Sequence, residues 1–158
     1  MFHLYEPDHI EWPVSVDLPV KAGLKKAYTF TAHFRVLDQE DCDDLNEQHN
    51  ALIVATIKRY EALQSYRGSN DLEVLTEPLP CTYEDLAAEV LCGWGEEVVD
   101  EAGEPVEFTD AAKAKMLRMQ GAASAIFNAW VASIGKPSAA GEPAKSAAKQ
   151  GGFRAKNS

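Results

Sequence analysis

The spacing of apolar side chains changes near residue 37 from every second residue to every third or fourth, and this change most constrains the fold. Residues 28–37, YTFTAHFRVL, alternate between apolar and polar, which predicts a strand with one apolar face. Residues 10–20, IEWPVSVDLPV, alternate as well, and their prolines suit a strand at the edge of a sheet. The glycine-containing connector KAGLKK joins the two, so we expect an N-terminal antiparallel β-hairpin.

The next stretch, LDQEDCDDLNEQHNALIVATIKRYEALQSY, carries apolar residues at three- and four-residue steps and predicts an amphipathic helix of about 25 residues. Asp38 is placed to cap this helix, with Asp41 three residues on, and acidic residues crowd the first turns, where the helix dipole favours them. RGSND is predicted to end the helix. Because an isolated hairpin is only marginally stable, we expect helices to cover its apolar face.

Three further elements are predicted after the proline-bracketed linker TEPLP. TYEDLAAEVLCGW is typical of a short helix that Thr82 and Asp85 cap. DAAKAKMLRMQGAASAIFNAWVASI is typical of a helix pair, capped by Thr109 and interrupted at Gly121. The segment between these helices, residues 93–109, is rich in carboxylates and predicts a small acidic β-hairpin. Asp100 would begin its turn, Gly103 would adopt the left-handed conformation, and Trp94 and Phe108 would anchor its two ends.

These elements predict an α+β fold: an N-terminal antiparallel β-hairpin, a long amphipathic helix, a short helix, the acidic hairpin and a C-terminal helix pair. Residues 1–135 carry ten basic and twenty-four acidic groups, a net charge of −14, and form the expected domain. Residues 136–158 carry five basic groups and one glutamate, with few apolar residues, and predict a disordered basic tail. The acidic body disfavours binding to nucleic acid, because such binding begins with neutralisation of phosphates.

The sequence contains neither a long uncharged apolar run nor a secretory signal pattern, so we expect no membrane association. Its three scattered cysteines favour a reducing cytoplasm over a disulfide scaffold. The four histidines lack HxH and HExxH spacing, and neither a nucleophile signature nor a phosphate loop is present. We therefore expect no catalytic residues, cofactor or metal. The alternative, a hydrolase that holds a metal with scattered carboxylates, predicts thermal stabilisation by metal ions.

Three segments in a fixed order carry a resemblance to a known family. They are WPVSVDLPV, then YTFTAHFRVLDQED, and then LAAEVLCGWGEEVVDEAGEPVEFT before the C-terminal helix pair. Over residues 10–135 the chain resembles the tail assembly chaperones of long-tailed bacteriophages and prophages, and Asn157 in the Lys/Ala-rich tail fits as well. One departure is KAGLKK, where the family pattern has a Gly-Gly or Asp-Gly-Gly turn. The residues that mark the resemblance are Trp12, Phe34, Trp94, Asp100, Gly103 and Phe108.

The resemblance implies a non-enzymatic protein of the host cell cytoplasm. Such chaperones coat the long, helical tape measure protein and keep it soluble until the tail tube polymerises around it, and they are absent from the finished virion. In many relatives a programmed frameshift makes a longer form that recruits tail tube protein. The alternative is a small structural protein, a tail completion or adaptor protein, that is retained in the virion.

The long helix has more apolar surface than a two-stranded hairpin readily covers. Surplus apolar surface on a small domain marks either a partner groove or self-association. A second possibility is that the C-terminal helices cover this surface and nothing binds there. The candidate partner-binding residues, taken from the apolar periodicity, are Leu45, His49, Leu52, Ile53, Ile57 and Tyr60.

Overall fold

The α+β architecture with an N-terminal hairpin is confirmed in a computed structural model that describes residues 1, 4, 7–64 and 69–135, without the side chains of residues 69–72. The predicted tail, residues 136–158, lies outside the described residues. Along the chain the elements are β1 (His9–Lys21), β2 (Leu24–Arg35), α1 (Gln39–Gln64), α2 (Ser69–Thr76), α3 (Tyr83–Val90), β3 (Leu91–Trp94), α4 (Asp110–Leu117) and α5 (Ala122–Ile134).

The antiparallel sheet has the strand order β1-β2-β3, so β1 is an edge strand, as its prolines predict. Lys21 pairs with Leu24, which leaves a two-residue turn in the KAGLKK connector. Its second residue, Gly23, has a φ of 74°, a conformation that side chains larger than hydrogen disfavour. The connector therefore makes a tight turn with a single glycine.

The prediction of one helix through residue 94 is wrong, because α3 ends at Val90 and the chain continues as β3. Leu91 is buried and lies opposite Phe34 of β2, so it belongs to the sheet. Two cations from other elements satisfy carbonyls that the end of α3 leaves without helical partners. Arg35 Nη1 donates to the carbonyl of Glu89 at 2.9 Å, and Lys113 Nζ donates to that of Ala88 at 2.8 Å.

The short helix α2 was not predicted. RGSND was expected to end α1, which spans Gln39–Gln64, and the first two residues of this segment lie outside the described residues. Helix α2 begins at Ser69, within this segment, and residues 77–82 connect it to α3. Eight residues carry too little apolar periodicity to distinguish a short helix from a loop.

The acidic hairpin of residues 93–109 is confirmed at its turn but not along its arms. Asp100 Oδ1 accepts hydrogen bonds from the backbone N–H groups of Ala102 and Glu104, at 2.8 and 2.9 Å. Gly103 has a φ of 85°, as predicted. Within the described residues the arms pair only at a bridge between Val99 and Pro105. The ladder stops there because the Val98 N–H donates to the carbonyl of Gly95, while the Val106 carbonyl accepts from Trp94 Nε1.

The predicted caps and the helix break are confirmed. Asp38 Oδ1 accepts from the amide of Asp41 at 2.9 Å, Thr82 forms a reciprocal capping box with Asp85, and the Thr109 hydroxyl caps α4. Gly121 adopts a φ of 80° between α4 and α5. Helix α5 packs against both β1 and α3, at the centre of the core. The largest fully buried side chains are those of Trp130, Phe34, Phe127, Leu86, Leu91, Ile126, Val14 and Val90.

Candidate partner-binding surface

The predicted apolar stripe of α1 divides into a covered part and an exposed part. Leu45 and Leu52 are buried and belong to the hydrophobic core. They lie seven residues apart, two turns of the helix, and so share one face. Both are therefore core residues, and in this conformation they are not accessible to a partner.

His49 lies between these two leucines and is half-buried. Its Nε2 atom is 3.0 Å from the hydroxyl of Tyr83 in α3, and its ring packs edge-on against Phe127 of α5, with 5.0 Å between the ring centroids. Burial lowers the pKa of His49, because desolvation penalises the imidazolium. His49 is thus part of the contact between α1 and the C-terminal helices.

Ile53, Ile57 and Tyr60 form the exposed part, which we call the α1 flank. Their exposed fractions are 38%, 51% and 62%, respectively. Steps of four and three residues place the three side chains in one row on the helix surface. The α1 flank is therefore a continuous apolar strip along about two turns of α1.

The position of α5 explains why the stripe divides. Phe127 of α5 contacts His49 and so approaches α1 on the side that carries Leu45 and Leu52. Residues 53, 57 and 60 lie roughly 60–120° around the helix from Leu45, at 100° per residue. The C-terminal helices thus cover the side of Leu45 and leave the α1 flank exposed.

The residues that mark the family resemblance lie away from the α1 flank. Trp12 is half-buried on β1, and Phe34 is completely buried on β2. Trp94 Nε1 donates to the carbonyl of Val106 at 2.8 Å, and its ring meets that of Phe108 edge-on at 4.7 Å. The predicted anchoring of the acidic hairpin by two aromatic residues is confirmed. Asp100 and Gly103 shape its turn, so all six marker residues have structural roles here.

A second apolar surface was not predicted. A cleft of about 720 Å³ lies between the acidic hairpin and α4, with Val98 and Val106 on one side and Met116 and Met119 on the other. Flexible methionine side chains are common on surfaces that adapt to different apolar partners. In the sequence, this surface is indicated only by the spacing of the two methionines, which are three residues apart in a predicted helix.

The three cysteines are free, and their thiols have raised pKa values. Desolvation is the main cause for Cys42, reinforced by Asp43, Asp38 and Asp41. Cys81 is affected in the same way by desolvation and Asp85, while nearby cations oppose the shift at Cys92. Since the thiolate is the reactive form, these surroundings disfavour nucleophilic chemistry.

One group of side chains with metal-ligand chemistry comes together within the described residues: His9, Glu11 and His33. HxH and HExxH spacing does not reveal this group, because such motifs describe separations along the chain and not pairing between strands. In the described part of the chain, every buried side chain is apolar. Within the same residues, each helix is either too short or too polar to cross a membrane. Comparisons with protein-family models, curated proteins and solved structures gave no match.

Proposed function

We propose that this protein is a tail assembly chaperone that binds the tape measure protein of a long-tailed phage or prophage and keeps it soluble during tail morphogenesis. The observation that carries the proposal is the α1 flank, because Ile53, Ile57 and Tyr60 remain exposed after the domain has formed its own core. In this role the protein is a binding protein of the host cell cytoplasm, with neither catalytic activity nor a cofactor.

The α1 flank matches the chemistry of an amphipathic helix. Such a helix places an apolar residue every three or four positions, and its stripe can pack along the row of Ile53, Ile57 and Tyr60. Each square ångström of apolar surface removed from water contributes about 25 cal/mol. Covering the apolar stripe of a long helical protein also removes the surface through which it would aggregate.

The charge of the protein suits a coat made of many copies. Residues 1–135 have a net charge of −14, so tape measure proteins coated with many copies would repel one another and remain soluble. A longer, frameshifted form could then connect the coated tape measure protein to tail tube protein. Self-association through the same apolar flank would compete with binding of the tape measure protein.

Co-expression tests the proposal. A tape measure protein encoded in the same tail gene cluster is produced with and without this chain, and its soluble fraction is measured after centrifugation. We expect most of it to remain soluble only with the chaperone. An equal soluble fraction in both samples would refute the proposal. Mass spectrometry of purified virions provides a second test: a chaperone is missing, whereas a completion or adaptor protein is retained.

A further inference from the structure

Three polar side chains come together on the outer face of the sheet because of the register between β1 and β2. Glu11 lies directly opposite His33 in the antiparallel pair. His9 is two residues before Glu11 on β1, and residues i and i+2 of a strand point to the same face. This face is opposite the one that carries the buried Val14, Phe30 and Phe34.

The ligand atoms of this cluster already lie close together. Nε2 of His9 is 3.3 Å from Oε2 of Glu11, and Nε2 of His33 is 3.9 Å from the same oxygen. All three ligand atoms lie within 4.8 Å of one another. The two imidazole rings are stacked, with 4.3 Å between their centroids.

These separations approach those of a zinc site. Zinc binds histidine nitrogen and carboxylate oxygen at about 2.0–2.2 Å in a tetrahedron, which places ligand atoms about 3.3 Å apart. The distance between His9 and Glu11 already has this value, and the widest pair must shorten by at most about 1.5 Å. Rotation of these side chains on a fixed sheet, with Glu11 exposed and the two histidines half-buried, can supply this movement.

Strand β3 leaves room for the cluster. Gly93 lies opposite His33, and a Cβ atom at this position would be 2.9 Å from Nδ1 of His33. Any larger residue would therefore push the imidazole out of its place. Next to the cluster, Glu97 accepts a hydrogen bond from the Thr31 hydroxyl at 3.0 Å, and its carboxylate adds negative charge to this face of the sheet.

We propose that His9, Glu11 and His33 form a binding site for a zinc ion, with water as the fourth ligand. Two imidazoles and one carboxylate are ligands that zinc accepts, and the three side chains come from two strands of one rigid hairpin. The bound ion would join the beginning of β1 to the end of β2 at the edge of the sheet. The site is separate from the α1 flank and does not depend on the proposed chaperone function.

Titration of the full-length, tag-free protein tests this site. After treatment with EDTA and removal of the chelator, the protein is titrated with zinc chloride by calorimetry in the presence of a phosphine reductant. We expect one zinc per chain and a higher Tm with zinc, because an ion that binds the folded state stabilises it. Cobalt(II) in place of zinc should give the visible absorption bands of a tetrahedral site.

Single substitutions assign the ligands. H9Q, E11Q and H33Q should each weaken zinc binding at least about tenfold, because even residues that only orient a ligand have effects of this size. E101Q, which removes an exposed carboxylate in the turn of the acidic hairpin, serves as the matched control and should bind zinc like the parent protein. Circular dichroism checks that each variant keeps its fold.

Two results would overturn the proposal. One is the absence of saturable zinc binding by the parent protein. The other is zinc binding that survives H9Q, E11Q and H33Q but disappears when Cys42, Cys81 and Cys92 are all replaced by serine, since the thiols would then be the ligands.

Discussion

Nε2 of His49 lies 3.0 Å from the hydroxyl oxygen of Tyr83, and this polar contact connects α1 to α3 beside the hydrophobic core. The ring of Phe127 in α5 packs edge-on against the ring of His49. The histidine thus joins three helices through one polar and one aromatic interaction. His49, which the apolar periodicity predicted to bind a partner, makes these contacts within the fold.

We expect this contact to make stability depend on pH. Burial lowers the pKa of His49 below its ordinary value of 6.5, so the unfolded chain takes up a proton that the folded chain does not. The stability contribution is complete above pH 6.5 and is lost as the pH falls through the lowered pKa. Urea unfolding of the parent protein and of H49Q between about pH 7.5 and 5.5 measures this effect. H49Q should lose less stability on acidification, and equal losses would contradict the prediction.

The division of the α1 stripe predicts unequal effects for two similar substitutions. Leu52→Ala removes a buried side chain and should lower the free energy of unfolding by about 2–5 kcal/mol. Ile57→Ala changes an exposed position on the same helix and should change it by less than about 0.5 kcal/mol. Urea denaturation of both variants measures the difference. Similar losses of stability would show that the α1 flank is covered in solution.

Trp94 should stabilise the acidic hairpin through its indole N–H. Trp94→Phe leaves the carbonyl of Val106 without this donor and should lower the free energy of unfolding by about 1–3 kcal/mol. Phe108→Leu is the comparison, because it removes the aromatic contact and keeps the hydrogen bond. Hydrogen exchange should show faster exchange of the amides of Asp100 and Val106 in Trp94→Phe. Unchanged exchange in that variant would assign the stability of the hairpin to its turn alone.

Local interactions made much of this fold predictable from the sequence. The helix caps at Asp38, Thr82 and Thr109 depend on hydrogen bonds within three residues, and the turn at Asp100 and Gly103 is equally local. The two strands of the hairpin follow from simple alternation. These features depend on neighbours along the chain, so the sequence pattern contains them.

Features that depend on distant residues were not predictable in this way. Residues 91–94 form a strand because β2 offers them an edge, although their apolar pattern continues that of α3. The cluster of His9, Glu11 and His33 depends on the register that places Glu11 opposite His33. Which part of the α1 stripe is covered depends on where α5 packs. Periodicity identifies an apolar stripe but does not show which other element packs against it.

The most direct test of the central claim combines co-expression with substitution of the α1 flank. The tape measure protein is produced with the parent chain, with the triple variant I53D/I57D/Y60D, or with L24D, which places a charge at an exposed apolar position on the hairpin tip. Circular dichroism first establishes that both variants are folded. We expect the parent chain and L24D to keep the tape measure protein soluble and the triple variant to leave it in the pellet. A folded triple variant that keeps as much of it soluble as the parent chain would contradict binding through the α1 flank.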